Sequence, residues 1–252
     1  MISKLYKKMN IPATCEVGNT IFKKLFYENS NMSTSDKNIF TNDIEKIVWK
    51  YSFKEENLHI KPYETENLDY EEIAVIEVLL SYDKKYRRIA EIIQKTIPYP
   101  LILVFVRDDN ILLNVASKRV NKVDVNKNTV EDYIYSSWIN LSRLKENEEK
   151  FLESIDIRNF SFVNMYKFYH SFVEKIEIFN ASVITGDFDN LKSKDIEQVN
   201  ALNNEVESLN NDIERLKLEL KREGQFNRRV DINIKIKKIE AKRNELIEKL
   251  KA

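Results

Sequence analysis

Glycine is nearly missing from this 252-residue sequence: Gly18, Gly186 and Gly224 are the only three, and each is isolated. A loop that cradles phosphate needs several glycines close together, because backbone amides must reach the ligand without a Cβ in the way. Neither a Walker A loop nor a dinucleotide fingerprint can be written, which sets aside ATPase, kinase and Rossmann readings. Cysteine occurs once, at Cys15, so an intrachain disulfide and a cysteine-based zinc site are both excluded. The two histidines, His59 and His170, stand too far apart for a local ligand pair. No metal and no cofactor is expected. Net charge is also missing, with 41 Lys and Arg against 41 Asp and Glu. That removes the global argument for a nucleic-acid binder but leaves local basic stripes open. No run approaches the roughly eighteen apolar residues of a membrane span. The opening MISKLYKKMN lacks the apolar stretch of a secretory signal. A reducing, cytoplasmic setting is the expectation.

What is present is a real core, from 42% hydrophobic and 11% aromatic residues, and a high 33% of charged ones. Such an excess of charge goes with long solvated helices. The expected organisation is an α+β fold: a globular domain with a mixed β-sheet and packed helices over 1–189, then an antiparallel two-helix coiled-coil hairpin over 190–252.

Along the first part, Ile21–Tyr27 has an apolar face suited to a short strand or helical turn, and Asn29–Lys37 reads as a polar loop. Thr41 or Asn42 is placed to cap a brief helix through Asp43–Lys46. Ile47, Trp49, Tyr51 and Phe53 then alternate as a strand, with Leu58–Tyr63 a candidate to pair with it. Ile73–Leu80 is a nearly continuous apolar strand. Asp83 is placed to cap a helix carrying Tyr86, Ile89, Ile93 and Ile97 on one face, which Pro98 and Pro100 end. Leu101–Val106 is a second buried strand, and Asp108–Asn110 turns into Ile111–Ser117. Strand–helix–strand followed by a hairpin implies a mixed sheet covered on at least one face. Tyr133–Ile139 reads as another strand and Leu144–Ile155 as a helix. Phe162, Met165, Tyr169, Phe172, Ile176 and Phe179 recur at helical spacing, an aromatic stripe of the kind that packs into a core. Ala181–Lys194 is the expected linker.

From Val199 the pattern becomes a heptad seam: Val199, Leu202, Val206, Leu209, Ile213, Leu216 and Leu220 at alternating spacings of three and four. Gly224 suits a left-handed C′ position, and Asn227 suits the cap of a second helix, whose seam is Ile232, Ile236, Ile239, Arg243, Leu246 and Leu250. Residues that face each other in an antiparallel pair share a constant sum of positions. Six layers do so, from Leu220 with Ile232 to Leu202 with Leu250. Arg243 is the polar member, placed to send its guanidinium outward while its stem packs on Leu209.

A restriction-type nuclease would need an acid, then a strand with Glu-x-Lys, converging on a divalent ion. Asp69 and Glu77 supply two acids, but Leu79 holds the lysine position, leaving Lys118 as a displaced substitute. Glu77 is better read as a strand carboxylate with a structural partner. Cys15 with either histidine makes a weak dyad. No catalytic residue and no enzymatic activity is expected. Nucleic-acid contact is the stronger alternative, through Arg228, Arg229, Lys235, Lys238 and Lys242 on the second hairpin helix, with Lys237 and Lys249 nearby. The competing reading pairs these cations across the seam with Glu205, Asp212 and Glu219.

The stretches FTNDIEKIVWKYSF, IQKTIPYPLILVF, ASKR around Lys118, SSWI around Trp138 and QFNRRVDINIKIKKIE together resemble the bacterial domain-of-unknown-function family 4391. The resemblance spans nearly the whole chain. Members look like small companions encoded beside SNF2-type helicases and DNA methyltransferases. The resemblance thus implies an accessory subunit of an anti-phage or restriction-modification assembly, with a helicase or methyltransferase subunit as protein partner. Nucleic acid and a second copy of the chain are the other candidate partners; a membrane is not.

Overall fold

The structure is a computed structural model that describes residues 2–120 and 128–252. The chain divides into two compact units, Met1–Ile176 and Glu177–Ala252. The first holds, in order, α1 (Ser3–Met9), β1 (Glu16–Thr20), α2 (Lys23–Asn29), α3 (Thr34–Asn42), β2 (Ile44–Phe53), α4 (Glu55–Leu58), β3 (Tyr63–Glu64), β4 (Asp69–Tyr70) and β5 (Ile73–Leu80). It continues with α5 (Tyr86–Thr96), β6 (Leu101–Arg107), β7 (Asn110–Val120), β8 (Asn128–Tyr135), β9 (Ile139–Asn140), α6 (Glu146–Ser154) and the start of α7 (Met165–Thr185). The second holds the end of α7, α8 (Phe188–Leu191), α9 (Ile196–Arg222) and α10 (Phe226–Lys251).

The main sheet is mixed and seven-stranded, in the order β1-β2-β5-β6-β7-β8, with β9 paired to β7. Among the described strands only β5 and β6 run parallel, with Ile76 opposite Leu103 and Val78 opposite Phe105. A parallel pair needs a crossover, and α5 supplies it. On one face of the sheet, Ala74, Ile76, Val78 and Leu80 of β5 join Leu101, Leu103 and Phe105 of β6 in a single core cluster. Ile89, Ala90, Ile92 and Ile93 of α5 complete it, with Phe26 of α2 and Phe40 of α3. On the other face, the Tyr169 hydroxyl of α7 donates to the carbonyls of Leu101 or Ala116 and accepts from the Ala116 amide, each at 3.0 Å. Phe168 meets Phe53 edge-on at 5.4 Å. Cover on both sides explains the apolar run of β5, which Glu77 alone interrupts.

Several local expectations are overturned. The segment read as a polar loop carries the start of α3, because Ser33 and Asp36 form a reciprocal capping box. Asp36 also takes two hydrogen bonds from Arg88 of α5, at 2.7 and 2.9 Å. Thr41 and Asn42 end that helix, and Asp43 leads directly into β2. Leu58–Tyr63 does not pair with β2, whose neighbours are β1 and β5. The Asn57 side chain accepts from the Lys54 amide and donates to the Ser52 carbonyl, which turns the chain into α4 instead. Tyr63–Glu64 then forms a separate two-stranded ribbon with Asp69–Tyr70. Asp83 caps nothing; it pairs with Arg107 at 2.5 Å, and α5 begins at Tyr86.

The strand expected through Ile139 breaks after Tyr135. There Ser136 accepts from the Leu113 amide through its hydroxyl and donates its own amide to the Leu113 carbonyl. Phe162 precedes α7 and is 48% exposed, outside the stripe assigned to it. The expected linker is structured as well: α7 runs to Thr185, Gly186 follows at φ +82°, and Phe188 and Leu191 are buried. A positive φ at Gly186 is what a helix-ending glycine provides.

In the second unit α9 and α10 pack as an antiparallel pair. Ile213, Leu216, Ile232 and Ile236 form a buried cluster with Leu220 and Ile239 against it. At about 1.5 Å per residue each helix runs ~40 Å. The turn differs from expectation in two respects. Gly224 is not left-handed, since Glu223 leaves α9 in an extended conformation. Asn227 is not the cap, because α10 starts one residue before it, behind an N-cap Gln225 that makes no side-chain hydrogen bond.

Candidate functional site

The residues that sequence offers as a nuclease site have separate structural duties. Glu77 sits on β5 between Val48 and Val104 and accepts a 2.8 Å hydrogen bond from the Tyr6 hydroxyl. Burial, then the charge of Glu77, raises the Tyr6 pKa, so that proton stays on the phenol. Leu79 carries no chemistry. Lys118 is buried on β7 and donates to the carbonyls of Ile97 and Tyr99 at 2.6 and 2.5 Å. Its ammonium pins the turn between α5 and β6, and burial pushes its pKa well below the usual lysine value. Asp69 lies on β4, in the small ribbon. Cys15 is buried and free, and burial pushes its thiol up, opposite to an activated thiolate. His59 is exposed in a left-handed turn.

Two groupings were not foreseen. The ribbon of β3 and β4 has one tyrosine face and one acidic face, as period-two alternation dictates. Glu64, Asp69 and Glu71 bring carboxylate oxygens within 4.8 Å of one another, the one such cluster among the described residues. A hydrogen bond shared with Glu64 raises the Glu71 pKa. On the other face, Tyr63, Tyr70 and Lys118 line a cavity of about 310 Å³ with Tyr166 and His170. The His170 ring lies against Tyr166 at a 47° tilt with centroids 4.2 Å apart, and burial, then Lys167, lowers its pKa. The signal for the ribbon was the tyrosine–acid alternation at Tyr63–Glu64 and Asp69–Tyr70, which is too short to stand out.

The hairpin carries the remaining candidates. Val199, Val206, Ile213, Leu216, Ile232, Ile236, Leu246 and Leu250 are buried; Leu202, Leu209, Leu220, Ile239 and Arg243 are half-buried. Arg243 turns outward, its guanidinium on Asn244 at 2.9 Å and Asn210 at 3.4 Å. Of the five proposed nucleic-acid contacts, Lys242 pairs across the seam with Glu205 at 2.6 Å, and Arg228 pairs loosely with Glu223 at 3.8 Å. Arg229, Lys235 and Lys238 make no ion pair among the described residues. Asp212 serves Arg215 on its own helix, so one cross-seam pairing of the three expected is formed. The outer faces also expose Leu218, Val230 and Ile234. Among the described residues no helix is long and apolar enough to cross a membrane.

No curated protein and no solved structure matches the chain. One family profile does, described as "Domain of unknown function (DUF4391)", over residues 9–242. That match takes in both the sheet unit and most of the hairpin, and the chain belongs to the DUF4391 family.

Proposed function

We propose that this chain is a non-catalytic adaptor, cytoplasmic and part of a bacterial anti-phage or restriction-modification assembly, whose hairpin docks a protein partner through its outer faces. One observation carries the reading. The seam of α9 and α10 is filled by their own residues, yet Leu218, Val230 and Ile234 remain exposed among charges. Solvated helix faces without a partner favour polar residues at such positions. The assembly itself comes from the family's resemblance to companions of helicases and methyltransferases. Copurification with the product of a neighbouring helicase or methyltransferase gene tests it. Val230→Asp with Ile234→Asp abolishes the association and leaves the helical circular dichroism unchanged. Undiminished association of that double variant would falsify the reading.

A second reading, nucleic-acid contact, is favoured by Arg229, Lys235 and Lys238, three of the α10 cations that have no counter-ion among the described residues. It requires affinity that falls steeply with salt, as phosphate contacts do.

A further inference from the structure

The hairpin tip contains side chains that the fold does not use. Phe226, the first residue of α10, is 77% exposed, the most exposed large hydrophobic residue described. It stands between two amides, Gln225 and Asn227, whose side chains make no hydrogen bond. Gln225 occupies the N-cap without capping, where Ser, Thr, Asp or Asn would satisfy a free backbone amide. Every residue from Gly224 to Asp231 is exposed. Lys221 and Arg222 suit the negative end of α9, but Arg228 and Arg229 sit in the first turn of α10, which holds no acid of its own; Arg228 reaches Glu223 only loosely, at 3.8 Å. Cations at that end oppose the helix dipole. Helix stability therefore accounts for neither arginine, nor for the ring, nor for the amides.

We infer that the tip binds single-stranded nucleic acid. Phe226 stacks on an unpaired base, Gln225 and Asn227 meet base edges, and Lys221, Arg222, Arg228 and Arg229 hold the flanking phosphates. The inference rests on the nucleic-acid reading above, but it moves the contact from the flank of α10 to the turn. Charge complementarity selects the occupant class: four cations flank the ring, and Glu223 is the single acid between Lys221 and Asp231. A flat ring stacks on any base whose face is free, which duplex pairing denies it. A lipid surface would call for a broad apolar cluster, whereas Phe226 and Val230 are the two large apolar side chains exposed between Gly224 and Asp231, with Asn227, Arg228 and Arg229 between them.

Fluorescence anisotropy of the full chain with labelled oligothymidine of about 20 nucleotides, longer than common single-strand sites, and with a duplex of equal length, tests it. The single strand binds tighter, and Phe226→Ala weakens it roughly tenfold, the size of one stacked base. Arg222→Glu with Arg229→Glu does the same, whereas Lys235→Glu with Lys238→Glu has a smaller effect. If Phe226→Ala binds like the parent while the flank pair abolishes binding, the tip assignment fails and the nucleic-acid reading stands. If no oligonucleotide binds, both fail. Equal affinity for duplex and single strand, or a Phe226-dependent association with anionic vesicles instead, also overturns it. Unchanged helicity by circular dichroism shows that each variant is folded.

Discussion

Lys118 is the residue whose chemistry the fold changes most. Its ammonium has two backbone carbonyls for partners and no carboxylate, so burial disfavours the charged form. In the unfolded chain the same amine keeps its proton up to about pH 10.4. Between its lowered folded value and that limit the unfolded chain binds more protons, so stability rises with pH. Chemical denaturation at a series of pH values up to about 9.5, below the range where tyrosines ionise, should show this rise. In Lys118→Met the rise should be clearly shallower, what remains coming from groups such as Lys23 and His170, whose pKa burial also lowers; a parent-like slope in the variant would assign it to another group. The same residue shows why the nuclease constellation fails. A lysine spent on the Ile97 and Tyr99 carbonyls is not presented to a metal-bound water, and Glu77 is likewise committed to Tyr6.

At the scale of elements, the hairpin ranks its own layers. Ile236 lies in the buried cluster with Ile213, Leu216 and Ile232, whereas Arg243 is half-buried and bonded outward. Ile236→Ala should cost the hairpin about 2 kcal/mol, the lower end for truncating a packed aliphatic side chain. Arg243→Leu should stabilise it by up to about 1 kcal/mol while weakening its control of register. Hydrogen exchange of α9 and α10 amides reads both, and a faster-exchanging hairpin in Arg243→Leu would contradict the second. Elements with long, regular patterns were legible in sequence: β5, α5, β6, and the heptads of α9 and α10. Those set by one or two side-chain hydrogen bonds were not. Asn57 diverts the chain from β2 into α4, and Ser136 interrupts the strand after Tyr135. The capping box of Ser33 and Asp36 is a readable signature, masked by its polar surroundings. At the hairpin turn, Gly224 follows α9 as expected but without a left-handed φ, and Asn227 lies two residues past Gln225, which takes the N-cap position.

For the whole molecule, the candidate surface was legible only as charge. The sequence displays the cations of α10, but their pairing depends on helix phase, and just Lys242 reaches an acid across the seam. The molecule as a whole is expected to leave DNA uncut. Plasmid incubated with the full chain and magnesium should remain intact, and Glu77→Gln should match the parent. Magnesium-dependent nicking that disappears in Glu77→Gln would restore the nuclease reading.

The order of the main sheet, β1-β2-β5-β6-β7-β8, rises steadily along the chain. No described strand has to slip between two that are already paired. During synthesis the sheet can therefore grow at one edge, each strand of that path docking on the one before it, with β9 returning to β7. Contacts so local close short loops, the condition for quick folding. A ribosome releasing this chain would have most of the sheet zipped before α9 and α10 emerge, and the hairpin could then close on itself as a late and separate event.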